Sequence, residues 1–149
     1  MAHREVTRAL ACALFWFLLA PVLAYEDTAV QVEPLAKSVA SWNGSVLPAY
    51  PTGQPEVTVL RYRIAPGARL PLHKHPFINA AVVLTGELTV VSQNGETLQL
   101  KAGDAAIELV DQSHYGHNRG AGPVELVVFY AGIEGQPLTQ HEALTSGTR

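Results

Sequence analysis

Short runs of β-branched and aromatic residues recur between glycine and proline turns from residue 55 onward, and no segment repeats its apolar residues at helical spacing. That pattern restricts the chain to an all-β architecture. Residues 57–64, 80–84, 87–92, 97–101, 105–110 and 123–130 each read as a strand. Pro66-Gly67, Thr85-Gly86, Ala102-Gly103-Asp104 and Arg119-Gly120-Ala121-Gly122 read as the breaks between them. Asn94-Gly95 is the strongest hairpin signal, because both positions of a tight two-residue turn favour positive φ. Strands at this spacing build a sandwich or barrel. Residues 25–54 are interrupted by Pro34, Pro48 and Pro51 and read as an extended arm with one short strand near residues 37–42. Residues 136–149 read as a polar tail.

The first 24 residues set limits of another kind. Arg4 and Arg8 precede an apolar run over residues 9–20, and Val22-Leu23-Ala24 ends it with a small residue. A positive start, a short apolar stretch and a small-residue cleavage point describe a secretory leader. The alternative, a membrane anchor, needs roughly 20 apolar residues, and this run is shorter and stopped by Pro21. The expectation is export to a periplasm or beyond, cleavage after Ala24 and no membrane anchor thereafter. Cys12 is the only cysteine and leaves with the leader, so the remainder has neither a disulfide nor thiolate chemistry. The formal net charge of the 149 residues is −3, with no basic patch, which argues against nucleic acid as a partner.

Six histidines occur. His3 goes with the leader and His141 lies in the tail. The other four form two pairs, His73 with His75 and His114 with His117. Residues two apart on a strand point to the same face, so His73 and His75 can aim two imidazoles at one point while Lys74 points away. A third ligand has to come from elsewhere, and His114 on a later strand is the natural candidate. Surface or hydrogen-bonded core histidines are the alternative. An H-x-H beside a glycine turn, matched by a distant histidine between apolar strands, favours a metal ion.

At these residues the sequence resembles the cupin superfamily. The family's first motif runs G-x5-H-x-H-x3-E-x6-G, and Gly67, His73, His75 and Gly86 fall at its spacings. The second runs G-x5-P-x-G-x2-H-x3-N, and Gly103, His114 and Asn118 fit it. The resemblance implies a single double-stranded β-helix, a jelly-roll barrel over residues 55–135. It also implies one divalent ion on His73, His75 and His114, and a homodimer. The chain departs from the family where Asn79 stands in the glutamate position and where Leu109 and Asp111 replace the proline and glycine.

An amide is a poorer ligand than a carboxylate. The site is therefore expected to rest on three histidines, with Asn79 facing the pocket to hydrogen-bond a bound water or substrate. His117, an odd number of residues from His114, should face away. Tyr62 and Tyr115 are candidates for the pocket wall. Glu87, Glu108 and Asp104 sit at strand ends or turns and are expected to be solvated.

Iron, manganese, nickel, copper and zinc all accept imidazole, so the ion is not specified. Two functions remain open. One is a metal-dependent dioxygenase acting on a small molecule, as three-histidine members of the family imply. The other is a non-catalytic module that binds a small ligand. Isomerase chemistry would need a further acid/base pair, for which no clear partner is visible.

Overall fold

The computed structural model describes residues 30–141. The expected leader, with its cleavage point, and the last eight residues lie outside that range. From Glu33 onward the chain forms one unit. No helix occurs among the described residues, and nine strands carry the fold.

The strands are β1 (Pro55–Ile64), β2 (His73–Lys74), β3 (Asn79–Thr85), β4 (Glu87–Ser92), β5 (Thr97–Lys101), β6 (Ala105–Ile107), β7 (His114–His117), β8 (Val124–Ile133) and β9 (Gln140–His141). They form two antiparallel sheets, in the orders β1-β8-β3-β6 and β5-β4-β7-β2-β9. Neighbours in each sheet are mostly distant in sequence, as in a jelly roll. β8 shows why these residues make a sheet with a single buried face. Val124, Leu126, Val128 and Tyr130 are buried while the residues between them are not, which is the period of two that a pleated strand imposes.

Between the sheets, Leu88 and Leu100 meet Ile64, Ala81, Val83, Val124, Leu126 and Val128. Each leucine, isoleucine and valine among them contributes about 1.5–3 kcal/mol by leaving water.

Two turns explain the motif residues around the site. Gly86 links β3 to β4 at φ +78°, and a Cβ there would sit 2.7 Å from the Pro123 carbonyl oxygen. Only glycine satisfies both constraints. Asp111, in the glycine position of the second motif, keeps the left-handed conformation at φ 53°, which aspartate tolerates better than most residues. Its N–H donates to the His75 carbonyl at 2.8 Å. Replacing glycine by aspartate has therefore preserved the turn that supports His75.

Both chain ends do more than the sequence suggested. The expected strand near residues 37–42 is reduced to one bridge, Ala40 with Val46. The arm is nonetheless tied down, since Trp42 N–H donates to the Ile107 carbonyl at 3.0 Å and Ser41 Oγ to the Glu108 carbonyl at 2.8 Å. The polar tail begins with a strand, because β9 pairs with β2 and sets His141 opposite His73.

Candidate metal centre

β2 and β7 are neighbours in the five-stranded sheet, with His73 directly opposite His114. Residues opposite each other share a face, and His75 lies two beyond His73 on that face. All three imidazoles are buried, at 8%, 3% and 3% exposure for His73, His75 and His114. Their ring centroids lie 4.7–5.1 Å apart. One ligating nitrogen from each can be chosen so that all lie within 4.8 Å of one another.

The second nitrogen of each ring settles which one is free. His73 Nδ1 meets the Pro71 carbonyl at 2.7 Å, His75 Nδ1 the Leu138 carbonyl at 2.9 Å and His114 Nδ1 the Gln112 carbonyl at 2.9 Å. A carbonyl oxygen only accepts, so each Nδ1 carries the hydrogen and donates. In the neutral ring, Nε2 is then left with a bare lone pair. Three rings held this way could serve as ligands, with tautomer and orientation fixed by backbone.

A carboxylate completes the cluster. Glu108 Oε2 lies 3.1 Å from His75 Nε2 and 3.8 Å from His114 Nε2, and its side chain is only 18% exposed. The expectation that Glu108 is solvated is therefore corrected. It lies just beyond β6, two residues after the buried Ala106, and so shares that residue's inward face. A carboxylate facing the lone pair of a neutral imidazole is a repulsive contact. It becomes favourable when a cation, either a proton or a metal ion, lies between them. The residues present thus fit a divalent ion.

The ionisation of the cluster follows from the same contacts. Burial, with the neighbouring imidazoles, brings His73 down from 6.5 to about 4 against the pull of the Pro71 carbonyl. Burial also lowers His75, but the hydrogen bond to Glu108 and its charge outweigh this and raise it. Burial pushes the Glu108 carboxyl up. Hydrogen bonds with His114 and His75 and their charges more than offset this and hold it at about 2. By distance, His75 is the closer of the two partners.

The histidines open onto a cavity of about 200 Å³. Leu70, Leu88, Val90, Leu126 and Val128 give it an aliphatic side, and among the described residues no lysine or arginine lines it. Beside the histidines and Glu108, its polar lining includes Tyr62 and Tyr130, whose hydroxyls are 3.0 Å apart. Tyr130 is packed edge-on against His75, with ring centroids 5.5 Å apart. Burial, the Tyr62 hydrogen bond and the Glu108 charge raise its pKa well above 10, so it stays protonated. His141 and Thr139 also line the cavity, and Leu138 supplies the carbonyl that orients His75. Leu138, Thr139 and His141 are thus part of the site.

Of the residues expected around the pocket, Tyr62 lines it, whereas Asn79 and Tyr115 are not among the lining residues. Asn79 is fully buried and donates to the Phe77 carbonyl at 3.1 Å. Tyr115 lies beneath the Arg69 guanidinium, 3.5 Å from the ring centroid. It follows His114 on β7 and so points to the opposite face, a signal already present in the sequence. His117 is half-buried and does not line the cavity. Asn118, the last residue of the second motif, works as a clamp. Its Nδ2 donates to the carbonyls of Ile64 at 3.0 Å, Ala65 at 3.1 Å and Gly122 at 2.8 Å.

Comparison with known proteins agrees with the fold. The family model described as a cupin domain matches residues 60–130. An uncharacterized conserved protein with a double-stranded beta-helix domain from Klebsiella pneumoniae is similar at 26% identity and TM-score 0.52, over 74% of this chain and 99% of that one. The DMSP lyase DddQ from Ruegeria pomeroyi is similar at 18% identity and TM-score 0.51, over 57% of this chain and 42% of that one. The oxalate decarboxylase of Lactobacillus farciminis is similar at 21% identity and TM-score 0.51, over 57% of this chain and 26% of that one. This chain thus spans less than half the length of either named enzyme, and at these identities the likeness extends to the fold alone. No curated protein matches the sequence.

Proposed function

This chain belongs to the cupin superfamily, and on that footing we propose that it is a metal-dependent enzyme of the dioxygenase type acting on a small, largely apolar molecule. The observation that carries the reading is a cluster of three buried histidines, each offering one ligand nitrogen and all of these within 4.8 Å of one another, at a cavity partly lined by leucines and valines. His73, His75 and His114 would hold the ion. Iron, when bound, would supply the one-electron chemistry that activates dioxygen.

The chain's own residues do the rest. The leucines and valines of the wall exclude water and select against strongly polar substrates. Among the described residues no lysine or arginine lines the cavity, so the ion would be the cation there that a ligand's oxygen donor meets. The Tyr62 and Tyr130 hydroxyls, paired with each other, keep a proton available to a substrate oxygen beside them. Sugars, with many hydroxyls to satisfy, fit this cavity poorly.

The test is reconstitution. Protein purified from its native compartment should contain close to one equivalent of a transition metal by elemental analysis. The iron-loaded form should consume oxygen with one or more members of a panel of small apolar carboxylates and diols, while His73→Ala should not. A ligand that is captured and released unchanged, with no oxygen consumed across the panel, would instead make the chain a binding module.

A further inference from the structure

Asn79 occupies the position where the first motif carries a carboxylate, yet a carboxylate lies at the cluster all the same. β3 pairs with β6 through Ala80 opposite Ile107, and Glu108 N–H donates to the Asn79 carbonyl at 3.1 Å. Asn79 and Glu108 are therefore cross-strand neighbours on the inner face, where Cβ atoms stand about 4.5–5.5 Å apart. A glutamate on either strand can reach the same point. We propose that Glu108 is the fourth protein ligand of the ion, supplying from the adjacent strand the carboxylate that Asn79 lacks; this rests on the reading of the three histidines as a metal site.

Three observations support it. Two ligands each about 2.1 Å from one ion stand roughly 3.0–3.4 Å apart at tetrahedral to octahedral angles, and Glu108 Oε2 is 3.1 Å from His75 Nε2. The 3.8 Å to His114 Nε2 corresponds to a wider angle at the same ion. Second, His75 Nδ1 is committed to the Leu138 carbonyl, so Nε2 is the atom that faces Glu108 Oε2, and a metal ion can take the place between them that a proton fills in the metal-free protein. Third, Glu108 is anchored at both of its backbone groups, by Asn79 on one side and by Ser41 Oγ on the other. Ser41 lies in the N-terminal arm, so that arm helps to place a ligand. The consequence is a site with one formal positive charge rather than two. It suits a monoanionic or neutral oxygen donor and disfavours dianions.

Cobalt(II) is the probe, because its visible spectrum reports the ligand set. Wild type, Glu108→Gln and His73→Ala are titrated with Co2+ and then with Zn2+ in competition. Wild type should bind one equivalent and His73→Ala should bind far more weakly. Glu108→Gln should lose more affinity than the roughly 10–100-fold typical of groups that only orient a ligand, and its cobalt bands should shift. Glu108→Ala should recover affinity and the wild-type spectrum on adding acetate.

Wild type that fails to bind Co2+ or Zn2+ would remove the metal reading itself. Wild type that binds, with an unchanged cobalt spectrum in Glu108→Gln, leaves the three-histidine site standing and overturns the fourth ligand. If Glu108→Gln does not fold, Glu108→Ala with and without acetate decides in the same way, by change or constancy of the spectrum.

Discussion

Lowering the pH of the metal-free protein should destabilise it first through His73. This ring is 8% exposed and is held at about 4 against an ordinary value of 6.5. Its folded-state pKa is depressed, so the unfolded chain takes up the proton first. The stability it contributes is present above pH 6.5 and is lost as the pH falls towards 4. That shift corresponds to about 3 kcal/mol in full, of which about 2 kcal/mol is lost by pH 4.5.

The neighbouring groups act in other windows. His75 is raised, so its contribution is fully present below pH 6.5 and lost as the pH rises through its folded value. Glu108 is lowered from 4.5 to about 2, so its contribution is lost only as the pH falls below about 4.5. Between pH 6.5 and 4.5 the loss therefore belongs to His73 among these three. The assay is urea denaturation of chelator-treated protein at half-unit pH steps, for wild type and His73→Asn. Wild type should fall by about 2 kcal/mol across the window, a large part of a normal folding free energy, and the variant should be nearly flat. An equal slope in both proteins, or a flat wild-type profile, would refute the reasoning.

Asn79→Ala should keep its full metal equivalent while losing about 1–2 kcal/mol of stability, through a buried hydrogen bond and a small void; metal loss as complete as in His73→Ala would show Asn79 to be a ligand. The outward face of β1 and β8 exposes Val57, Val59 and Phe129 side by side, a row of apolar groups suited to burial between two copies. Light scattering should therefore give a homodimer that Val59→Lys weakens by about tenfold or more, and a wild-type monomer at every concentration would count against it.

Much of this protein was legible in its sequence because the relevant physics is local. Strand alternation fixes which residues share a face over a few positions, so the strands, the Asn94-Gly95 hairpin and the pairing of His73 with His75 could be read directly. The same rule, applied consistently, would have turned Tyr115 away from His114 and brought Tyr130 to the wall beside Leu126 and Val128. Spacing alone could not bring Glu108 or His141 to the site. Their positions depend on register between strands far apart in the chain: Ala80 opposite Ile107 delivers the carboxylate, and His73 opposite His141 draws the tail into the sheet. Register is set by the packing of whole sheets, since a slip of one residue turns every side chain to the other face. The sequence by itself determined that His73 and His75 share a face, with His114 as their candidate third partner. Only the tertiary structure decided that a carboxylate one strand away from its expected position stands beside His75.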